Sequence, residues 1–202
     1  FLLSLEDQAT YLSASWRNAP EGPARLLPLV ALAQAALCIA GHEERLQQVE
    51  PDLMAELQRQ ILSDGGHASR NPAVLVELLL DLLPLRQCLV ARGVTPPEAL
   101  QTSIDRMMAM LRHLRLGDGQ LARFNGMGTT ERDVLATVLA YDKASLEPPE
   151  KISASGYARL ARGSSTIVMD VGAPPPVELA GQACGGCLAF EMSVEDELLF
   201  AN

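Results

Sequence analysis

Three short stretches concentrate the residues able to move protons or neutralise carboxylates. His67 follows Gly65-Gly66, and Arg70 and Asn71 come a few residues later. An imidazole titrates near neutrality, so His67 is a candidate proton carrier or carboxylate neutraliser; the alternative is a loop histidine bonded to backbone. Arg70 offers a planar fork suited to a carboxylate, or it closes a structural salt bridge. Asn71, just before Pro72, reads as a helix N-cap or as a ligand contact. Arg123 and Asn125 form the second group, beside Gly126 and Gly128, which either admit a ligand close to the backbone or shape a turn. Tyr157 is the third candidate, an acid or base at the start of a strand pattern, or a packing residue with its hydroxyl satisfied.

Other features carry less. Arg106, Arg112, His113 and Arg115 make one cationic stretch, read as a solvated helix face or as a contact for an anionic ligand. Cys184 and Cys187 form a single Cys-x-x-Cys; a zinc site needs two more ligands, and no second pair exists, so a metal is not expected. Cys38 and Cys88 lie in apolar stretches and are expected to be buried thiols. No phosphate-binding loop, Ser-His-Asp order or paired carboxylates stand out, and no cofactor is expected.

The elements that must hold these groups are mostly helical. Leu5, Ala9, Leu12 and Trp16 recur at helical spacing after Ser4. Residues 24–40 form a helix that is apolar nearly all round and stops at Gly41, so it must be buried on several sides. Residues 43–61 follow, with Pro51 expected to restart the helix. Asn71-Pro72 opens a helix to about residue 91, with Pro84 as a kink. Thr95 to Glu98 looks like a capping box for the helix carrying Leu100, Ile104, Met107, Leu111 and Leu114. A last helix is expected over 130–144. After a proline-containing linker the pattern changes to four short strands, around 157–160, 166–170, 188–192 and 198–201.

Composition sets outer bounds. Hydrophobic residues make up 48% and charged residues 20% of 202, as in globular proteins, and aromatics are only 4%, so the core must be mostly aliphatic. The net charge of −9 argues against nucleic acid as the main partner. The longest apolar run, 26–40, is shorter than the roughly 20 residues of a bilayer span, so no membrane span is expected. The chain opens on Phe1 without a methionine, and four strands make a poor core. The expectation is therefore a truncated N-terminus and a β-part that begins a larger sheet domain.

One repeat ties two of the candidate groups together. Asp64-Gly65 and Asp118-Gly119 each follow a long helix, 54 positions apart (64 to 118), and each precedes a loop with Arg and Asn. Repeated helical hairpins suggest a toroid or solenoid whose loops gather on one rim.

These same segments resemble the heparinase II/III-like proteins. Ile61 through His67, with Arg70 and Pro72, is similar to an inner-rim segment of that family, and Gly117-Asp118-Gly119 followed by Phe124-Asn125 to its next rim loop. Tyr157 to Leu160, Thr166 to Asp170 and Gly181 through Glu191 resemble the opening strands of its β-sandwich. The resemblance implies a mostly α chain with a β C-terminal part: an incomplete (α/α) toroid over 1–146, a linker over 147–155, and the start of a sandwich over 156–202. The expectation is a bacterial protein, with the compartment, periplasmic or cytoplasmic, left open. It also implies a polysaccharide lyase that cleaves a uronate-containing, acidic polysaccharide or oligosaccharide by β-elimination, a carbon–oxygen lyase. That chemistry needs a base for the proton α to a carboxylate, a neutraliser of that carboxylate, and an acid for the leaving oxygen. Carried onto this sequence, His67 and Tyr157 are the catalytic candidates, and Arg70, Asn71, Arg123 and Asn125 the substrate-binding ones. The sequence departs from the family at three points. Val74 stands where a tyrosine is common, Gln182 to Gly186 where a histidine segment is common, and the upstream Asn/His element has no match near Glu21 to Leu26. A non-catalytic glycan binder or a helical interaction scaffold are the alternatives.

Overall fold

The computed structural model describes residues 2–129, 131–144, 146–148, 154–184, 186 and 188–202. Six helices come first: α1 (Leu2–Ser15), α2 (Pro23–Cys38), α3 (Glu43–Gln60), α4 (Pro72–Ala91), α5 (Glu98–Leu114) and α6 (Arg132–Leu139). Four strands follow: β1 (Tyr157–Arg162), β2 (Ser165–Asp170), β3 (Phe190–Val194) and β4 (Glu197–Phe200). A 3-10 segment, Val177–Gln182, lies between β2 and β3. This is the expected class, helical hairpins followed by an antiparallel sheet.

The two most apolar helices are central. α2 packs against α1, α3 and α4, and α4 also packs against α5 and α6. Ten side chains of α4 are buried, among them Leu75, Leu78, Leu79, Leu82 and Leu85. Burial all round a helix is what an all-round apolar sequence requires. Polar α3 and α5 flank this pair, each burying one face.

Several local readings change. Pro51 lies inside a continuous α3 and does not restart it. Pro97 occupies the N-cap of α5 without a side-chain hydrogen bond, so Thr95 builds no capping box. The last helix is shorter than expected, Arg132–Leu139, and its proposed start at Thr130 lies outside the described residues. Cys38 is exposed and Cys88 half-buried, because each falls off the inward stripe of its apolar helix. Cys184 is exposed, and Cys187, like much of the linker, lies outside the described residues.

The sheet runs β1-β2-β3-β4, all antiparallel, with Tyr157 opposite Asp170 and Val168 opposite Glu191. Its alternation is inverted. The face turned to the helices carries Tyr157, Arg159, Asp170, Glu191 and Ser193, while Leu160, Phe190 and Phe200 are exposed on the other. Polar contacts therefore join sheet to helices. The Arg159 guanidinium donates to the His113 and Arg115 carbonyls at the end of α5, and Gly117 N–H donates to Ser193 Oγ at 2.8 Å.

Candidate functional site

The two Asp-Gly loops are the same structure twice. In the first, Ile61 and His67 form an antiparallel bridge, Leu62 N–H donates to Gly66 O, and Asp64 Oδ1 accepts from Gly66 N–H at 2.9 Å. In the second, Arg115 bridges Leu121, Leu116 N–H donates to Gln120 O, and Asp118 Oδ1 accepts from Gln120 N–H at 3.0 Å. The glycine after each aspartate is left-handed, with φ of 88° at Gly65 and 83° at Gly119, a conformation that favours glycine. Each loop reverses the chain so that it returns to the helix it left: Ala68 N–H bonds Gln60 O, and Ala122 N–H bonds Leu114 O.

The loops meet where the sheet docks. Asn125 Nδ2 lies 3.2 Å from Arg70 O, from the Tyr157 hydroxyl and from Asp170 Oδ2. Tyr157 donates its hydroxyl hydrogen to Arg70 O and stacks on Phe124, with ring centroids 5.3 Å apart. Arg70 donates to Ser155 O at 2.7 Å and Ala173 O at 2.6 Å, and pairs with the Asp170 carboxylate. Asn125, Tyr157, Phe124, Arg70 and Asp170 are all buried. Burial pushes the Tyr157 phenol well above its usual range, so it stays protonated. Arg70 and Asn125 both take positive φ, 59° and 51°, an unusual conformation that the surrounding contacts must hold.

His67 belongs to a separate chain of bonds and is 2% exposed. Its Nδ1 lies 2.7 Å from Ser69 Oγ, and its Nε2 3.2 Å from Gln60 Oε1. Gln60 Nε2 donates to Glu56 Oε2 at 2.9 Å and Gly22 O at 3.0 Å. That fixes the roles. The Gln60 carbonyl can only accept, so His67 carries its proton on Nε2, and Nδ1 accepts from the Ser69 hydroxyl and the Ser69 N–H. Burial lowers the His67 pKa to about 4, so the ring is neutral at neutral pH.

Asn71 caps α4, accepting from Ala73 N–H at 2.9 Å, while its Nδ2 lies 3.5 Å from Gln182 Oε1. Arg123 is set apart. Its Nε pairs with Glu191 Oε1 at 3.2 Å, and Glu191 is fully buried. The cationic stretch is not one face. His113 is buried under β1, Arg112 pairs with Asp142, and Arg106 is exposed.

A groove runs between the helices and the 3-10 segment that joins β2 to β3, and reaches the sheet only at its far end. One cavity of about 320 Å³ is lined by Ser69, Asn71, Val74, Asn125 and Gln182 together with Glu21, Glu77 and Glu178. A second, about 440 Å³, shares Asn71, Glu77 and Gln182 with it and adds Gly126, Gly128, Thr129 and Glu131. A third, about 320 Å³, shares Thr129 with the second and is lined by Arg123, Arg132 and Glu191. The first two have carboxylates and amides on their walls and no cationic side chain; the arginines appear only at the third. Among the described residues no group of three or more His, Cys, Asp or Glu side chains is arranged to hold a metal, and no helix is long and apolar enough to cross a membrane.

The sequence candidates thus divide. Arg70, Asn125 and Tyr157 come together, Asn71 lies beside them on the groove wall, His67 reaches the groove through Ser69, and Arg123 lines its far end. Sequence reasoning missed Asp170, Gln60, Glu56, Ser69 and Gln182. Of these only Ser69 carried a local signal, two residues after His67 in a glycine-rich loop.

Residues 144–202 match the heparinase II/III-like C-terminal family. Almost the whole chain superposes on solved lyases of that group. The heparan sulfate lyase HepC of Pedobacter heparinus matches at TM-score 0.70 and 18% identity, over 98% of this chain and 35% of that one. The heparinase III BT4657 gene product matches at TM-score 0.73 and 16% identity, over 96% and 34%. This is the heparinase II/III-like fold. A curated relative, FtsZ-localized protein C of Caulobacter vibrioides, is 39% identical over 183 residues, 89% of this chain and 32% of the relative. The chain therefore spans about a third of the length of that relative, and a similar share of the heparinase II/III-like structures. At Val74 the heparinase II/III-like fold here presents an aliphatic side chain on the groove wall.

Proposed function

We propose that this heparinase II/III-like protein holds a polysaccharide chain along this groove, and that the described residues serve binding and framing rather than β-elimination. The groove itself carries this reading. Its cavities share lining residues, and its walls carry amides, hydroxyls, carboxylates and glycine backbone, groups that hydrogen-bond sugar hydroxyls. Among the described residues the candidate acid and carboxylate neutraliser are already engaged. Tyr157 spends its hydroxyl hydrogen on Arg70 O, Arg70 is committed to Asp170, and the wall position near the Pro72 turn is Val74. Without a free cation in the first two cavities, a uronate carboxylate there would meet carboxylates of its own sign.

Binding and cleavage separate in one experiment. The protein is titrated with a panel of neutral and uronate polysaccharides, and the ultraviolet absorbance of the unsaturated elimination product is followed in the same samples. Saturable binding with no new absorbance supports the reading. Unsaturated product lost on Tyr157→Phe would overturn it and install the lyase with Tyr157 as its acid. Absence of binding to every polysaccharide would leave the fold as a scaffold.

A second reading concerns the partner. The relative at 39% identity is named for its localisation with FtsZ, and we propose that this protein also associates with FtsZ polymers. Cosedimentation with assembled FtsZ tests it, and recovery of the protein wholly in the supernatant would refute it.

A further inference from the structure

We infer that Ser69 is an activated nucleophile and that the groove carries an acyl-transfer activity on carboxylic esters, of the size of an O-acetyl group on a sugar. The sugar part rests on the reading above; the serine chemistry does not. The geometry of Ser69 carries the inference. It is partly exposed on the wall of the first cavity, and its hydroxyl hydrogen is directed at His67 Nδ1, 2.7 Å away. His67 is oriented in turn by Gln60, and Gln60 by the buried carboxylate of Glu56. This is a nucleophile, a neutral base and an orienting group within hydrogen-bond reach of one another, the arrangement that activates a serine. It is chemistry distinct from elimination at a uronate.

The step balances without a cofactor. Ser69 Oγ attacks the ester carbonyl carbon as His67 Nδ1 takes the hydroxyl proton. The tetrahedral intermediate collapses, the carbon–oxygen bond to the alcohol breaks, and the alcohol leaves with the proton from His67. Water repeats the sequence on the acyl-serine, giving the carboxylic acid and restoring Ser69. The oxyanion has donors nearby. Asn71 Nδ2 holds only a 3.5 Å contact to Gln182 Oε1, and both amides line the cavity; side-chain amides are suitable oxyanion donors. Ser69 also stands just before α4, at the positive end of a 20-residue helix, which favours developing negative charge. Burial of His67 disfavours the imidazolium, so turnover is slow and covalent capture is the sharper readout.

The test is labelling of the intact chain with a fluorophosphonate, located by peptide mass spectrometry. The adduct is expected on Ser69, absent in Ser69→Ala, and formed at least about a hundredfold more slowly in His67→Gln. Because His67→Gln can perturb the fold, the wild-type pH profile gives an independent reading. With His67 as base the rate is flat above the pKa of about 4 through neutral pH. A rate rising about tenfold per pH unit there, as for hydroxide ionising an ordinary serine, would overturn the proposal, as would no adduct on Ser69. Neither outcome depends on glycan binding, so failure here leaves the groove reading standing.

Discussion

The guanidinium of Arg70 and the carboxylate of Asp170 form a buried ion pair that joins the first rim loop to the last residue of β2. Both side chains are less than one-tenth exposed. Arg70 also supplies hydrogens to the carbonyls of Ser155 and Ala173, so one side chain ties the rim loop to three points across the seam.

Removing one partner should therefore cost far more than a surface pair. Arg70→Ala leaves the Asp170 carboxylate buried without its cation, held only by Asn125 Nδ2 and Gly172 N–H, and a loss of about 3 kcal/mol is expected. The double variant R70M/D170L should recover only part of that, because two carbonyls still lack donors. Denaturant unfolding of the three proteins checks both statements. An Arg70→Ala loss below about 1 kcal/mol would show that the pair is not buried in solution.

The pH dependence follows from His67. Its pKa is about 4 in the folded chain and 6.5 as the reference value. Between these values the unfolded chain binds a proton that the folded chain refuses, so stability rises with pH across this window. The contribution is intact above pH 6.5 and is lost as pH falls to 4, by roughly 3 kcal/mol in total. His67→Gln should flatten this part of the curve. Thermal melts between pH 4 and 7 would decide; an unchanged slope in the variant removes His67 as the cause.

Gly117→Ala should open the contact between the second rim loop and the sheet. A Cβ at Gly117 would lie 1.8 Å from the Glu195 carbonyl oxygen. Backbone must move, and a destabilisation of roughly 1–3 kcal/mol is expected. Amide exchange of β3 and β4 should rise more than that of α4. Equal protection in the variant and the parent would contradict the close approach.

The outward sheet face predicts association. Leu160, Phe190 and Phe200 are 59%, 40% and 55% exposed, a larger apolar display than isolated surface residues make. Light scattering of this 202-residue chain should show mass rising with concentration, and Leu160→Lys should reduce it. A concentration-independent monomer would refute this.

The helical half was legible because its signals are local. Asn71-Pro72 marks its own helix start, and the alternation of Asp-Gly loops at a fixed interval marks the repeat. The capping box at Thr95 failed since Pro97, not Thr95, takes the N-cap position of α5. Cys38 and Cys88 were misplaced because an apolar stretch says nothing of which azimuth faces inward. The site was legible in composition and not in contact. His67, Arg70, Asn125 and Tyr157 are visible as types, but Asp170 ends an unremarkable strand and Gln60 an unremarkable helix. Their partnership exists only once the chain has closed on itself, and no spacing encodes it. Sheet polarity misleads in the same way, since the face with charges is the one turned inward.

The bonds that close the seam span long stretches of sequence: 100 residues from Arg70 to Asp170, 91 from Ser155 to Asp64 and 87 from Tyr157 to Arg70. Helical hairpins form from near neighbours and do so fast, whereas contacts of this separation wait on loop closure. A refolding chain should thus gain far-ultraviolet helical signal before it protects the amides around Tyr157. In that interval the carboxylate of Asp170 and the fork of Arg70 are both hydrated. The cost of stripping that water then falls late, and the seam is expected to form after the helices it joins.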